Sequence, residues 1–156
     1  MVQARGRCIS GYAQVEFLMA DFVLKASRLP DYSEFGSPFP LHFSTRLKRV
    51  QDIANAPGQL RKHADDLRAL TKAIATWEAK RHTLVHGWLE VADRRSRPLL
   101  FRMRRFSPEK GNERNVLVSE FTLTEIKEAG KRLTVLADKA VMLFYDIYHE
   151  HRLEHD

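Results

Sequence analysis

The amino-acid sequence predicts an all-α fold, a bundle of four to five helices with a small β-hairpin insertion. Three observations predict it. Apolar residues recur at the three-to-four spacing of a single helix face along most of the chain. Pro and Gly gather in short breaks between those runs. In one stretch, about residues 88–121, the helical period gives way to alternation, as a strand with one buried face requires. At 156 residues, the chain is read as a single domain, residues 1–156, long enough to bury one core.

Residues 1–9 are polar and basic and read as a frayed start. From Ser10 to about Arg28, Tyr12, Val15, Leu18, Met19, Phe22, Val23 and Ala26 line one face of a helix that Ser10 can cap. Residues 29–43 hold Pro30, Gly36, Pro38 and Pro40 among Tyr32, Phe35, Phe39 and Phe43. Proline removes amide donors and fixes φ, so this is a loop. Its aromatics can pack on the protein or stack on bases, and packing is the expected use. Ser44 or Thr45 opens a second helix to about Asn55, and Pro57-Gly58 ends it. A third helix, from Gln59 or Asp65, carries Leu67, Leu70, Ile74 and Trp77 on through residue 86.

Beyond Gly87, Trp88 to Val91 and Leu99 to Phe106 read as strands joined by a turn over Ala92 to Pro98. Leu99, Phe101 and Met103 alternate with Leu100, Arg102 and Arg104, giving an apolar face and a partly basic one. A polar loop with Pro108 and Gly111 follows, and Val116 to Phe121 is a candidate third strand. Thr122-Leu123-Thr124-Glu125 matches a capping box, in which Thr122 and Glu125 satisfy each other's free amides. The last helix then runs to about His151. Gly130 costs about 1 kcal/mol in such a helix, a hint of close packing there.

Lys and Arg number 26 against 20 Asp and Glu, a formal net charge of +6. That sign permits contact with a polyanion through counterion release. The lone Cys8 excludes an internal disulfide and a cysteine zinc site, and fits a reducing cytoplasm. No run approaches a membrane span, and Gln14, Glu16 and Asp21 spoil the most apolar early stretch as a signal peptide. A cytoplasmic protein without membrane contact is expected.

Residues 77–89 concentrate the potential chemistry. On a helix of about 100° per residue, Leu70, Ile74, Trp77, Leu84 and Trp88 share one stripe. Arg81 falls inside it, where a guanidinium needs an anionic or carbonyl partner. Glu78, His82 and His86 follow at i, i+4 on the other side. Three readings compete there. His86 can act as acid or base, Arg81 can hold a phosphate, and His82 can orient either one or transfer a second proton. Alternatively, Glu78, His82 and His86 bind a metal, although no Glu lies within the His pair as a zinc-peptidase motif requires. A structural role, with local hydrogen bonds and a partner-binding surface, is the third. The tail histidines His149, His151 and His155 can also take up metal adventitiously. A separate basic patch, Arg94, Arg95, Arg97, Arg102, Arg104 and Arg105, offers RNA phosphate contacts or simply guards a hairpin edge.

The run Arg81-His82-Thr83-Leu84-Val85-His86-Gly87 resembles the Arg-x4-His signature of the HEPN superfamily, the higher eukaryotes and prokaryotes nucleotide-binding domain. The motif resemblance spans seven residues, and the helical organisation of residues 10–150 accompanies it. The residue after the Arg, most often Asn or Asp in that family, is His82 here. The resemblance implies an all-α homodimer and a metal-independent endoribonuclease of the toxin–antitoxin or phage-defence kind, needing no cofactor. It further implies RNA as substrate, a neutralising antitoxin as a candidate partner, and Arg81, His82 and His86 as catalytic residues. A HEPN-like module without catalysis that binds RNA, a nucleotide or a protein is the alternative. On an unbroken helix Arg81 and His86 diverge by about 140°, so a shared phosphate requires a bend near Gly87 or a second subunit.

Overall fold

The computed structural model describes residues 1–93, 95, 97–108 and 114–154. In chain order they form α1 (Val2–Ala26), a 3-10 segment Pro30–Gly36, α2 (Phe43–Asn55), a second 3-10 segment Gln59–His63, α3 (Ala64–Ala75) and α4 (Glu78–His86). Then come β1 (Trp88–Asp93), β2 (Leu100–Phe106), β3 (Val116–Thr122) and α5 (Leu123–His151). The fold is therefore helix-rich but mixed, and the all-α expectation is corrected. Where a small hairpin was expected, the alternating stretch builds a three-stranded antiparallel sheet of order β1-β2-β3. The third run pairs with β2 along its whole length, from Leu100↔Thr122 to Phe106↔Val116. With both edges of β2 paired, its backbone donors and acceptors are satisfied and the sheet can bury a face of its own.

The chain divides into two compact units. One comprises Met1–Tyr12 and Trp77–Thr134, the other Ala13–Thr76 and Val135–Asp156. In the first, Cys8, Met103, Ile126 and Leu133 are buried. The first turns of α1 are thus packed helix and not the frayed start that their polarity suggested. Cys8 lies beneath α5, its Sγ 3.4 Å from the Ile126 carbonyl, and burial raises its thiol pKa. Gly130 sits against Arg7 and Cys8, as its helix penalty hinted, with ordinary room for a Cβ at 3.6 Å. The tighter approach is at Gly11, where a Cβ would lie 3.2 Å from that of Leu133.

In the second unit Phe22 stacks on Phe144 with centroids 4.8 Å apart. The proline-rich loop packs down: Tyr32 is buried and its Oη accepts the Leu60 amide at 2.9 Å. The expected third helix is two. α3 ends at Ala75, and α4 begins afresh after Trp77, whose carbonyl accepts the Arg81 amide at 2.7 Å. Leu70 through Trp88 therefore do not form one helical stripe. Trp88 stands in β1 and is 72% exposed. Among the described residues no helix is long and apolar enough to cross a membrane. Gly111 and His155 lie outside the described residues.

The capping box forms as its sequence predicts. The Thr122 amide donates to Glu125 Oε2 at 2.6 Å and the Glu125 amide to Thr122 Oγ1 at 3.2 Å. These bonds hold the Glu125 carboxyl below the usual range, so its contribution is present at neutral pH and is lost as pH falls through that lowered value. Thr122→Ala removes the cap and should cost about 1 kcal/mol, measured by urea unfolding at pH 7. A loss indistinguishable from zero would contradict the cap.

Candidate functional site

The residues singled out in α4 lie in the first unit, between the sheet and the start of α1. α4 runs unbroken to His86, and Gly87 is extended at φ −78° and ψ 139°. A Cβ at Gly87 would overlap the Thr83 carbonyl oxygen and lie 3.3 Å from Met103 Cβ. Glycine is thus demanded chiefly by the last turn of α4 itself, with β2 close alongside, and not by a left-handed backbone. The last carbonyls of α4 are taken by Arg5. Its Nε donates to the Leu84 oxygen and its Nη2 to that of Val85 at 3.0 Å. A cation at a helix C-terminus satisfies orphan acceptors and opposes the negative end of the dipole.

Among the described residues Arg81 shows no ion pair with a carboxylate. Its guanidinium lies over the Tyr12 ring, Cζ 5.4 Å from the centroid, and its Nε is buried without a hydrogen-bond partner among the described residues. His82 and His86 lie side by side with ring centroids 5.8 Å apart. His82 is half-buried and His86 exposed.

The predicted basic patch separates into parts. β2 alternates, and Met103, fully buried, marks the face that meets α4. Arg102 and Arg104 point the other way and are neutralised. Arg102 bonds Glu120 at 2.5 Å and approaches Glu90 at 3.6 Å, while Arg104 pairs with Glu90 at 2.7 Å. Glu120, and then Glu90, raise the Arg102 pKa further. Arg105 shares the face of Met103. Its Nε is also buried without a hydrogen-bond partner among the described residues, and its charge is felt at His82. Arg95 and Arg97 are exposed in the bend between β1 and β2, where the Arg95 amide donates to Asp93 Oδ1. Arg94 lies outside the described residues.

The cluster is therefore Arg81, His82 and His86 from α4 with Arg105 from β2. Sequence reasoning placed Arg105 with its neighbours, although its parity with Met103 in an alternating strand already marked it as different. Arg5 carried no local signal, since its bonds cross 79 and 80 residues of chain. Beside the cluster is a cleft of about 510 Å³ whose walls include Trp77, Thr83, Arg105, Phe121 and Ile126. Glu78, His82 and His86 do not gather as a ligand set among the described residues. The group that does is His63, Glu150 and His151, in the second unit.

Burial lowers the His82 pKa, and Arg81, Arg105 and His86 lower it further, against an opposing pull from Glu78. His82 should titrate below 6.5, and removing either cation should raise its midpoint. NMR titration of its ring in the wild type, Arg81→Gln and Arg105→Gln checks this. A wild-type midpoint at or above 6.5 would contradict the geometry. The unfolded chain binds this proton more readily than the folded one. Stability is therefore untouched above the ordinary value and declines as pH falls below it, a decline that His82→Asn should lessen.

No family model, no curated protein and no solved structure matches this chain.

Proposed function

We propose that this chain is a HEPN-like, metal-independent endoribonuclease of the toxin–antitoxin or phage-defence kind, cytoplasmic and active as a homodimer. The observation that carries the reading is uncompensated charge. Arg81 and Arg105 flank a histidine pair without a carboxylate partner among the described residues, while Arg102 and Arg104 on the opposite face are paired off. Both guanidinium groups are half-buried with a shielded Nε that no described residue bonds, and such a donor is a cost until it finds an acceptor. A phosphodiester supplies one, with oxygens suited to guanidinium N–H groups.

The reaction is an internal transfer. A base takes the proton of the 2′-hydroxyl, O2′ bonds to phosphorus, and the P–O5′ bond breaks. The leaving oxygen takes a proton from an acid, and the products are a 2′,3′-cyclic phosphate and a 5′-hydroxyl. Exposed His86 serves as base for the 2′-hydroxyl and as acid for the leaving oxygen, Arg81 offsets the charge that develops on phosphate, and His82 orients the phosphate or His86.

Because α4 is unbroken, Arg81 and His86 still diverge by about 140°. A second copy across a two-fold axis completes the site. A neutralising protein partner would then act by covering the cluster. The cleft favours one other reading, a module without catalysis that holds a nucleotide base between Trp77 and Phe121 with Arg105 on its phosphate.

Cleavage of RNA in excess chelator separates the two. His86→Ala should lower the rate by roughly 10²–10⁴-fold and Arg81→Ala by at least as much, and the double variant should lose less than the product of the two. His82→Asn, which carries the residue commoner in the family, should keep activity. If folded wild type cuts no RNA, or His86→Ala cuts as fast, the binding module replaces the nuclease. Light scattering should give twice the chain mass for wild type. A monomeric wild type that still cleaves would overturn the composite site.

A further inference from the structure

We propose that His63, Glu150 and His151 form a binding site for a zinc-like divalent transition-metal ion. Their donor atoms lie within 4.8 Å of one another, drawn from two places 87 residues apart in sequence. His63 ends the 3-10 segment Gln59–His63, and Glu150 and His151 close α5. Both ends are held by backbone. α5 stops in a left-handed turn at Arg152, φ 56°. There the Leu153 amide donates to the Tyr148 carbonyl at 2.8 Å and the Arg152 amide to that of His149 at 3.4 Å. This is the six-to-one and five-to-two pattern of a Schellman cap. Buried Leu153 packs the turn in place. The last two helical residues are thereby presented in fixed directions.

The donors lie within a small side-chain rotation of the spacing around a coordinated ion. Zinc bonds of about 2.0–2.2 Å place neighbouring tetrahedral ligands roughly 3.3–3.5 Å apart. The Glu150 carboxylate directs Oε2 to His63 Nε2 at 3.2 Å and Oε1 to His151 Nε2 at 3.7 Å. The two imidazoles meet edge to face, centroids 6.2 Å apart, and both side chains are largely covered. His151 Nε2 is shielded from solvent and makes no hydrogen bond among the described residues. A shielded ring nitrogen facing a carboxylate and a second imidazole has a use as a metal ligand, and as a bare polar atom it is a cost. Two imidazoles and one carboxylate suit zinc and similar ions and leave a fourth position for water. Lys62 also pairs with Glu150. Lys62 is mostly exposed, so it competes for the carboxylate and can swing away without leaving a buried charge.

The ion would tie the 59–63 segment to the end of α5 and raise the melting temperature of the full chain by binding the folded state. Zinc titrated into chelator-stripped protein should bind at one ion per chain. His63→Ala, His151→Ala and Glu150→Gln should each weaken binding by about a hundredfold or more, beyond the usual effect of losing an outer-shell partner. Lys62→Met should tighten it. His149→Ala, His82→Ala and His86→Ala should leave it unchanged, which sets this site apart from the α4 ladder. Should a ligand variant lose its fold by circular dichroism, the ring-nitrogen NMR spectrum of wild type decides instead. On adding zinc, His63 and His151 should shift to the values of metallated imidazole, and the other histidines should not. No uptake, or uptake unaffected in folded His63→Ala and His151→Ala, would reduce the cluster to an ion-pair network around Glu150.

Discussion

The closeness of α4's end to the central strand β2 is the constraint on which the first unit depends. Gly87 permits it, since a methyl group there would overlap the Thr83 carbonyl and crowd Met103. Arg5 then satisfies the Leu84 and Val85 carbonyls that the abrupt helix end leaves. With the helix seated this way, the next residue of β2 on the same face, Arg105, arrives beside His82. The cluster follows from one glycine, one buried methionine and the two-residue period of a strand.

Charge is distributed unequally over the two faces of the sheet. On one, Glu90 and Glu120 absorb Arg102 and Arg104, and such exposed pairs contribute little to stability. Their effect is to remove those arginines from competition for an outside anion. On the other, the positive charge is left in place and depresses the proton affinity of His82. A fold indifferent to an anion could offset that cost with a single Asp or Glu. Its retention agrees with the proposed phosphate site, in which the stabilising groups would be oriented before charge develops.

Much of the fold was legible in local sequence, because local physics decides it. The alternation of Phe101 and Met103 with Arg102 and Arg104 marked β2 and its two faces, and the Thr122–Glu125 pair marked the start of α5. The third strand was legible as a segment but not as a partner, since pairing with β2 is set across 10 to 22 residues of chain, from Phe106↔Val116 to Leu100↔Thr122. The break at Thr76–Trp77 was hidden because apolar spacing continues through it. At the site, α4 itself was legible. Its partners Arg5 and Arg105, the carboxylates that neutralise Arg102 and Arg104, and the meeting of His63 with Glu150 and His151 were not, since each depends on tertiary approach.

The central claim is that the Arg81–His82–His86–Arg105 cluster is a phosphate site. The most direct measurement is an NMR titration of the full chain with uridine 3′-monophosphate, following arginine side-chain Nε–H and histidine ring signals. The account predicts saturable shifts at Arg81, Arg105, His82 and His86, with Arg102 and Arg104 unmoved behind their glutamates. Shifts confined to Arg102, Arg104 and the β1–β2 bend, or an absence of saturable shifts, would contradict it.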